Sequence, residues 1–431
     1  MPQAKVGKPP ARAATAIRVA SGNFMEMYDF MVFGYYAGAI GKAFFPSGNA
    51  LNSLLLALMT FGAGFLMRPL GAVVLGAYTD KIGRRKGLIL TLALMSLGTI
   101  LLALVPGYSR IGLLAPFLVL LGRLCQGFSA GVELGSVSVY LAEMATPGTK
   151  GFWVSWQSAS QQLAVMFAAG LGLILNRFLN FAQVEDWGWR IPLLIGLSLV
   201  PLLFALRRSL KETDAFTAQA VHPTAREIVG TLLHNGGVIA IGMAMVMMTT
   251  VSFYLITAYT PTFGEKVLHL QSSQAMLVTL CVGASNLVWL PLAGALSDRI
   301  GRKPVMIVTT ALAIVSAYPA MLWLISAPSF GRLLAAELWL SFIYGSYNGA
   351  NVAYLTEIVP AQVRASGFSL AYSLATCVGG FTPALCTWLI AHTGNKAMPG
   401  LWLSLVAALA LTATLVSKPS AGLPSVTPKA A

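Results

Sequence analysis

GAYTDKIGRRK (76–86) and GALSDRIGRKP (294–304) each stand where a long apolar run ends. They repeat Gly, Asp, Gly and Arg at identical spacing. A second pair follows each: YLAEMATPGTKG carries Glu143 and Lys150, and YLTEIVPAQVRASG carries Glu357 and Arg364, with the cation seven residues after the acid both times. Two markers recurring in the same order at nearly the same separation indicate a duplicated unit.

The residues around these markers say what is duplicated. The chain has 431 residues, 57% hydrophobic and only 10% charged, with 42 Gly and 22 Pro. Ordinary soluble domains carry roughly 25% charge. Too little charge is left to cover a soluble surface of this size, whereas Gly and Pro at this frequency suit helices packed in lipid. A bilayer core about 30 Å thick takes about 20 apolar residues per helix. Candidate spans fall at 17–41, 51–78, 87–106, 112–142, 151–176, 189–207, 235–260, 272–297, 304–326, 332–358, 365–392 and 399–417. These twelve place the signature loops after the second and eighth. The longest polar interruption, 208–234, divides the chain into halves 1–207 and 235–431 and is read as a cytoplasmic linker. The expected fold is therefore an all-α membrane protein, twelve transmembrane helices in two six-helix bundles.

A formal charge of +14 elsewhere suggests nucleic acid, but position argues otherwise. Most of the 28 Lys and Arg fall on the side of the signature loops, and only Arg68 and Arg123 lie deep inside spans. That bias orients a multi-pass protein of a bacterial inner membrane, with loops and both termini cytoplasmic. The basic start, Lys5 to Arg18, imitates a signal peptide, yet Glu26 and Asp29 in the first apolar segment mark it as a retained first span. Four cysteines in apolar segments, without CxxC, are read as packing residues. Four histidines near linkers or helix ends give no metal site, and there is no GxxxxGK[ST] loop or HExxH pair, so no enzyme activity is expected.

The paired loops resemble the signature of the major facilitator superfamily. Within it, SGNFMEMYDF, GFLMRPLGAVVLG, GRLCQGFSAGVELG and WGWRIP are similar to the metabolite:proton symporter family. The finer match, through SWQSASQQ and TAYTPTFG, is to its citrate-proton symporters and their tricarballylate-transporting relatives. The resemblance implies alternating access about a central cavity, import of citrate or a related tricarboxylate with protons as the coupling ion, no cofactor, and a monomer whose partners are a small carboxylate and the bilayer. Alternative cargoes are another organic acid, such as tricarballylate, a dicarboxylate or a shikimate-like acid, or a compatible solute. A receptor that binds an organic acid without moving it is the reading from another class.

Charges kept inside spans are expensive and point to function. Asn23, Glu26 and Asp29 form one stripe on the first span; Arg123, Gln126 and Glu133 share a face of the fourth. Asp29 and Arg123 match the acid and arginine that related sugar-proton symporters place on helices one and four. Asp29 is thus the expected proton site and Arg123 its switchable partner and substrate cation, with Glu26 and Glu133 as further proton candidates. The bland alternative is a buried pair that only neutralises itself. Substrate contacts are expected from Arg123, Gln126, Tyr28, Asn23, Ser158, Gln161, Gln162, Tyr254, Tyr347, Asn348 and Asn351, although polar stripes also serve as glue between helices. Arg68, before Pro69, is read mainly as a cap for freed carbonyls. Glu337 follows Arg123 at the same offset as Glu357 follows Glu143, so it takes the equivalent place in the second half with opposite sign. Whether it is a coupling site or a structural acid stays open. At the loops, Asp80, Arg84, Glu143, Asp298, Arg302 and Glu357 are expected to form a latch that breaks when the cytoplasmic side opens, or else to be solvated topogenic charge.

Overall fold

The computed structural model describes residues 12–82, 84–131, 133–208, 230, 234–360 and 364–418. The side chains of Asn23, Asp80, Arg84 and Glu133, and nearly all of 208–234, lie outside the described residues. The protein is all-α, with twelve spans in two sets of six. They are α1 (Arg12–Tyr35, continued by Ala37–Phe44), α2 (Ala50–Leu66 and Arg68–Ile82), α3 (Arg84–Leu104), α4 (Leu114–Ala130 and Glu133–Met144), α5 (Lys150–Phe178) and α6 (Arg190–Arg208). The second half repeats them as α7 (Gly236–Phe253 and its π-helical continuation), α8 (Ser272–Ile300), α9 (Arg302–Ser326), α10 (Phe330–Ile358), α11 (Arg364–Gly380 and Thr382–Thr393) and α12 (Met398–Val416).

Seven helices among the described residues are long and apolar enough to cross a membrane by themselves: α2, α5, α7, α8, α9, α11 and α12. The others are broken, short or diluted by polar residues. α1 carries Glu26 and Asp29, α4 carries Arg123 and is interrupted after Ala130, and α10 carries Glu337, Asn348 and Asn351. α6 is entered through a 46° bend after Phe181–Gly188. Apart from Arg68 of α2, the interior charges sit on spans that fail the apolar test, because inward-facing helices need not match lipid.

The burial pattern is that of a membrane protein. Leu56, Phe117, Phe178, Val288, Val315 and Leu405 are exposed, while Glu26, Asp29, Arg68, Arg123 and Glu337 are buried. Helices cross closely where side chains are small. A Cβ on Gly127 of α4 would stand 1.6 Å from the Gly64 carbonyl oxygen of α2, so that crossing admits only glycine. The turn from α8 to α9 rests on Gly301 at φ 95°, in the left-handed region that glycine occupies freely.

The halves meet through α5 against α8, α2 against α11, and α1 against α7. The last contact is shaped by α7, whose Tyr254–Tyr259 and Phe263–Val267 are π-helical around Pro261. These wide turns break the i, i+4, i+7 alignment that the sequence gives Thr250, Tyr254 and Thr257. Thr257 bonds back to the Phe253 carbonyl, and Thr250 to the Ala375 carbonyl of α11.

Candidate functional site

The first-half charges form two groups around one phenylalanine. Arg123 of α4 donates from Nη1 to Gln126 Oε1 at 2.8 Å and from Nη2 to the Phe61 carbonyl at 3.4 Å. Gln126 Nε2 in turn donates to Asp29 Oδ2 at 3.3 Å and to Thr99 Oγ1 at 3.2 Å. The Thr99 hydroxyl of α3 donates to the same Asp29 oxygen. Above the guanidinium lie the faces of Phe30, Phe33 and Phe61, with centroids 4.2, 4.6 and 5.2 Å from Cζ. Cation–π contact therefore supplies much of what a carboxylate would otherwise provide.

This arrangement corrects the direct pairing expected of Asp29 and Arg123: Gln126 stands between them as a relay. One turn beyond Arg123 on the same face, its amide can accept from the guanidinium and donate to the carboxylate at once. Thr99 gave no signal, being a single hydroxyl in an apolar helix.

The direct ion pair lies elsewhere. Arg68 Nη2 sits 2.6 Å from Glu26 Oε1, with side chains 1% and 3% exposed. The carbonyl-capping role read for Arg68 is thus corrected, since its guanidinium reaches from the α2 break into the interior. It also lies over Phe65 and Phe30, at 4.7 and 5.0 Å. Phe30 separates the two cations. Tyr254 of α7 packs against Phe61 and Phe65 at 5.8 and 4.9 Å, and Tyr372 of α11 lies within electrostatic reach of Arg68 and Glu26, so this cluster faces the second half. Arg68 Nε, Arg123 Nε, Asp29 Oδ1 and Gln157 Nε2 are buried without hydrogen-bond partners among the described residues. Three are donors, which suits an anionic ligand.

Several expected contacts resolve into links between helices. Tyr28 donates to the Pro192 carbonyl of α6 at 2.6 Å and packs on Phe167, which ties α1 to α6 and α5. Tyr347 donates to the Met245 carbonyl at 2.9 Å. Asn348 and Asn351 share Thr249 of α7, at 3.2 and 3.1 Å. Gln162 accepts from Asn286 of α8 at 3.1 Å, and Asn286 accepts from Ser341 of α10 at 2.7 Å, a bridge across the halves that sequence reasoning missed. Ser158 donates to Gln157, and Gln161 is buried. The run GFSAG (127–131) has the spacing of a nucleophile elbow, but Ser129 sits within a helix and donates to the Thr91 carbonyl at 2.8 Å.

A family model for Sugar (and other) transporter matches residues 15–235, and one for Major Facilitator Superfamily matches residues 266–430. The chain belongs to the major facilitator superfamily. This facilitator is 58% identical to a citrate-proton symporter of Klebsiella pneumoniae, over 94% of its own length and 91% of that protein. It is 33% identical to a proline/betaine transporter of Escherichia coli K12, over 95% and 84% of the two chains. In three dimensions it is similar to the crystal structure of a D-xylose-proton symporter, with a TM-score of 0.74 at 19% identity over 94% and 96% of the chains, which speaks for the fold alone. Family and fold are those of transporters, not enzymes.

The facilitator's halves are joined at both ends. At the signature-loop end, the Asp298 carboxylate of α8 accepts from the backbone N–H groups of Gly151 and Phe152, at 2.8 and 2.9 Å, capping the start of α5 in the other half. Arg302 holds Asp298 at 2.7 Å and Glu357 at 3.4 Å, and Lys150 reaches Glu357 at 3.6 Å. Asp298, Arg302 and Glu357 thus come together as expected, and the cap adds a tie across the halves. Glu143 is exposed; the side chains of its expected partners Asp80 and Arg84 are outside the described residues. At the opposite end, Gly34 of α1 lies against Ala258 of α7, and Lys266 stands over Phe181 at 5.2 Å.

Proposed function

We propose that this facilitator is a proton-coupled symporter that imports citrate, or a closely related tricarboxylate, across a bacterial inner membrane by alternating access. The reading rests on the 58% identity to a citrate-proton symporter over nearly the whole of both chains. Geometry supports it: Arg68 and Arg123 offer two buried guanidinium groups, spaced by Phe30, as a molecule with several carboxylates requires. The protein divides as 1–207, a linker 208–234 and 235–431, acts as a monomer, and keeps both termini in the cytoplasm.

Coupling follows from competition for the cations. Glu26 neutralises Arg68 directly; a substrate carboxylate that takes this guanidinium leaves Glu26 buried without its counter-charge, where binding a proton relieves the cost. Asp29 is coupled one step further off. When substrate draws Arg123 away from Gln126 Oε1, the amide is free to turn, and Asp29 loses a donor and gains affinity for a proton. Gln126, Ser158, Gln161, Gln162, Tyr254, Asn348 and Asn351 supply the remaining polar surface, with Gln157 added to them. Asn23 and Glu133 keep their assigned parts, in binding and proton transfer, as proposals from sequence. Asp80, Arg84, Glu143, Asp298, Arg302 and Glu357 act as the gate at the loop end.

The test is uptake of labelled citrate into proteoliposomes under an inward proton gradient, with tricarballylate, isocitrate, succinate and proline betaine as competitors. Accumulation that collapses with a protonophore supports the reading. Competition by the betaine alone assigns the cargo to compatible solutes, and binding without accumulation makes the protein a receptor.

A further inference from the structure

Glu337 takes no part in the network around Phe30. It lies in α10 at 3% exposure, and its Oε1 is 3.0 Å from the Thr260 hydroxyl of α7. Its Oε2 has no hydrogen-bond partner among the described residues. Two cations of this end are engaged elsewhere. Lys266 of α7 is bound to Glu265 at 2.7 Å, and Arg332, one turn earlier on α10, is held by the Trp323 carbonyl and Ser326. α8 from Ser272 to Leu296 and α9 from Pro304 to Ser326 contain no Asp, Glu, Lys, Arg or His. Their other titratable groups are Cys281 and Tyr318, the latter bonded by Asn395. Of the nearby tyrosines, Tyr259 is bonded by Thr387 and Tyr344 by Asn348. α12 has no ionisable side chain between Met398 and Val416, and α11 holds His392 at its far end beside Trp388. An ionised carboxylate with one hydroxyl for company in such surroundings is strongly disfavoured.

We propose that Glu337 is a second proton carrier of the transport cycle, loaded while α7 and α10 are closed around Thr260 and unloaded when they part. The inference rests on the symport reading above and extends it. Thr260 can serve both states. Its hydroxyl is also 2.9 Å from the Ile256 carbonyl, so with Glu337 protonated it accepts the carboxyl proton and gives its own to Ile256. With Glu337 ionised it donates to Oε1 instead. The π-helical turns on either side of Thr260 give α7 a place to yield. The proton comes from water on one side of the membrane and returns to water on the other; only O–H bonds form and break. Glu337 holds in the second half the place that Arg123 holds in the first, and Thr260 is followed by Pro261 and Thr262, which line a cavity at that end with Tyr35 and Tyr36. A substrate with several negative charges gains from each added proton when it moves toward a negative interior.

The experiment measures the steady accumulation of citrate in proteoliposomes of the full chain as the pH gradient is varied, in wild type and Glu337→Gln. Glutamine keeps the acceptor for Thr260 and cannot ionise. The expected result is intact exchange of preloaded citrate with about tenfold less accumulation per unit of gradient, the loss of one coupled proton. Wild-type dependence on the gradient in the variant overturns the proposal. Should the glutamine variant not exchange citrate, Thr260→Val decides: a displaced pH profile of uptake supports a titrating Glu337, and an unmoved profile overturns it. Failure of the wild type itself to accumulate citrate defeats the substrate reading and is a separate outcome.

Discussion

A carboxylate in a membrane interior is defined by what it touches. Asp29 touches Thr99 and Gln126, and Glu26 touches Arg68, so the two acids of one stripe have different chemistry three residues apart. Asp29→Asn is expected to abolish gradient-driven accumulation while retaining exchange of preloaded citrate; accumulation at the wild-type level would remove Asp29 from the coupling path. For the direct pair, Arg68→Met alone should lower stability by about 3–5 kcal/mol, because it takes the arginine counter-charge from the buried Glu26. Adding Glu26→Gln should restore most of it without restoring uptake, and thermal unfolding in detergent beside transport assays reads both. Arg123→Lys should weaken citrate binding by roughly tenfold or more, since one charge-assisted hydrogen bond is worth about 1.5–3 kcal/mol and an ammonium has neither the fork nor the flat face that meets Phe30. Equilibrium binding by calorimetry measures it, and unchanged affinity would place recognition at Arg68.

The helices differ in how they position those residues. α2 and α4 cross so closely at Gly64 and Gly127 that backbone, not side chain, sets the distance between Arg68 and Arg123. Gly127→Leu is therefore expected to cost at least ~1–3 kcal/mol of packing strain and to spread the two arginines. A lower melting temperature together with weakened citrate binding is the outcome to look for; a variant of wild-type stability and affinity would show that the crossing can give. α7 is the opposite kind of element. Its π-helical stretches loosen it where Tyr254 meets α2 and Thr260 meets α10, and no sequence period announces them, because a π-turn costs one residue of register and leaves composition unchanged.

For the whole molecule, the ends of the halves decide which side is open. Asp298 ties α8 to the start of α5 through two backbone N–H groups, a contact that depends on charge at a helix N-terminus. Asp298→Asn should shift the population toward the state open at the loop end. Faster alkylation of Ser155→Cys, buried on α5 against Gly294 of α8, would register this, and an unchanged rate would mean that α5 and α8 are held by packing alone.

The duplicated loops, the twelve apolar runs and the charges retained within them are properties of the chain, and they determined the fold, the division into halves and the small set of residues worth asking about. Lipid enforces that legibility, since a span must be long and apolar unless something inside the protein compensates. Partnership was decided only by the tertiary structure. Spacing tells which residues share a helix face, as Arg123 and Gln126 do, but not which neighbour that face meets. Glu26 rather than Asp29 received an arginine because α2 breaks at Met67 and turns Arg68 inward. Thr99, Asn286 and the phenylalanine faces around Arg123 were invisible for the same reason: their chemistry is ordinary until packing sets a charge or an amide beside them.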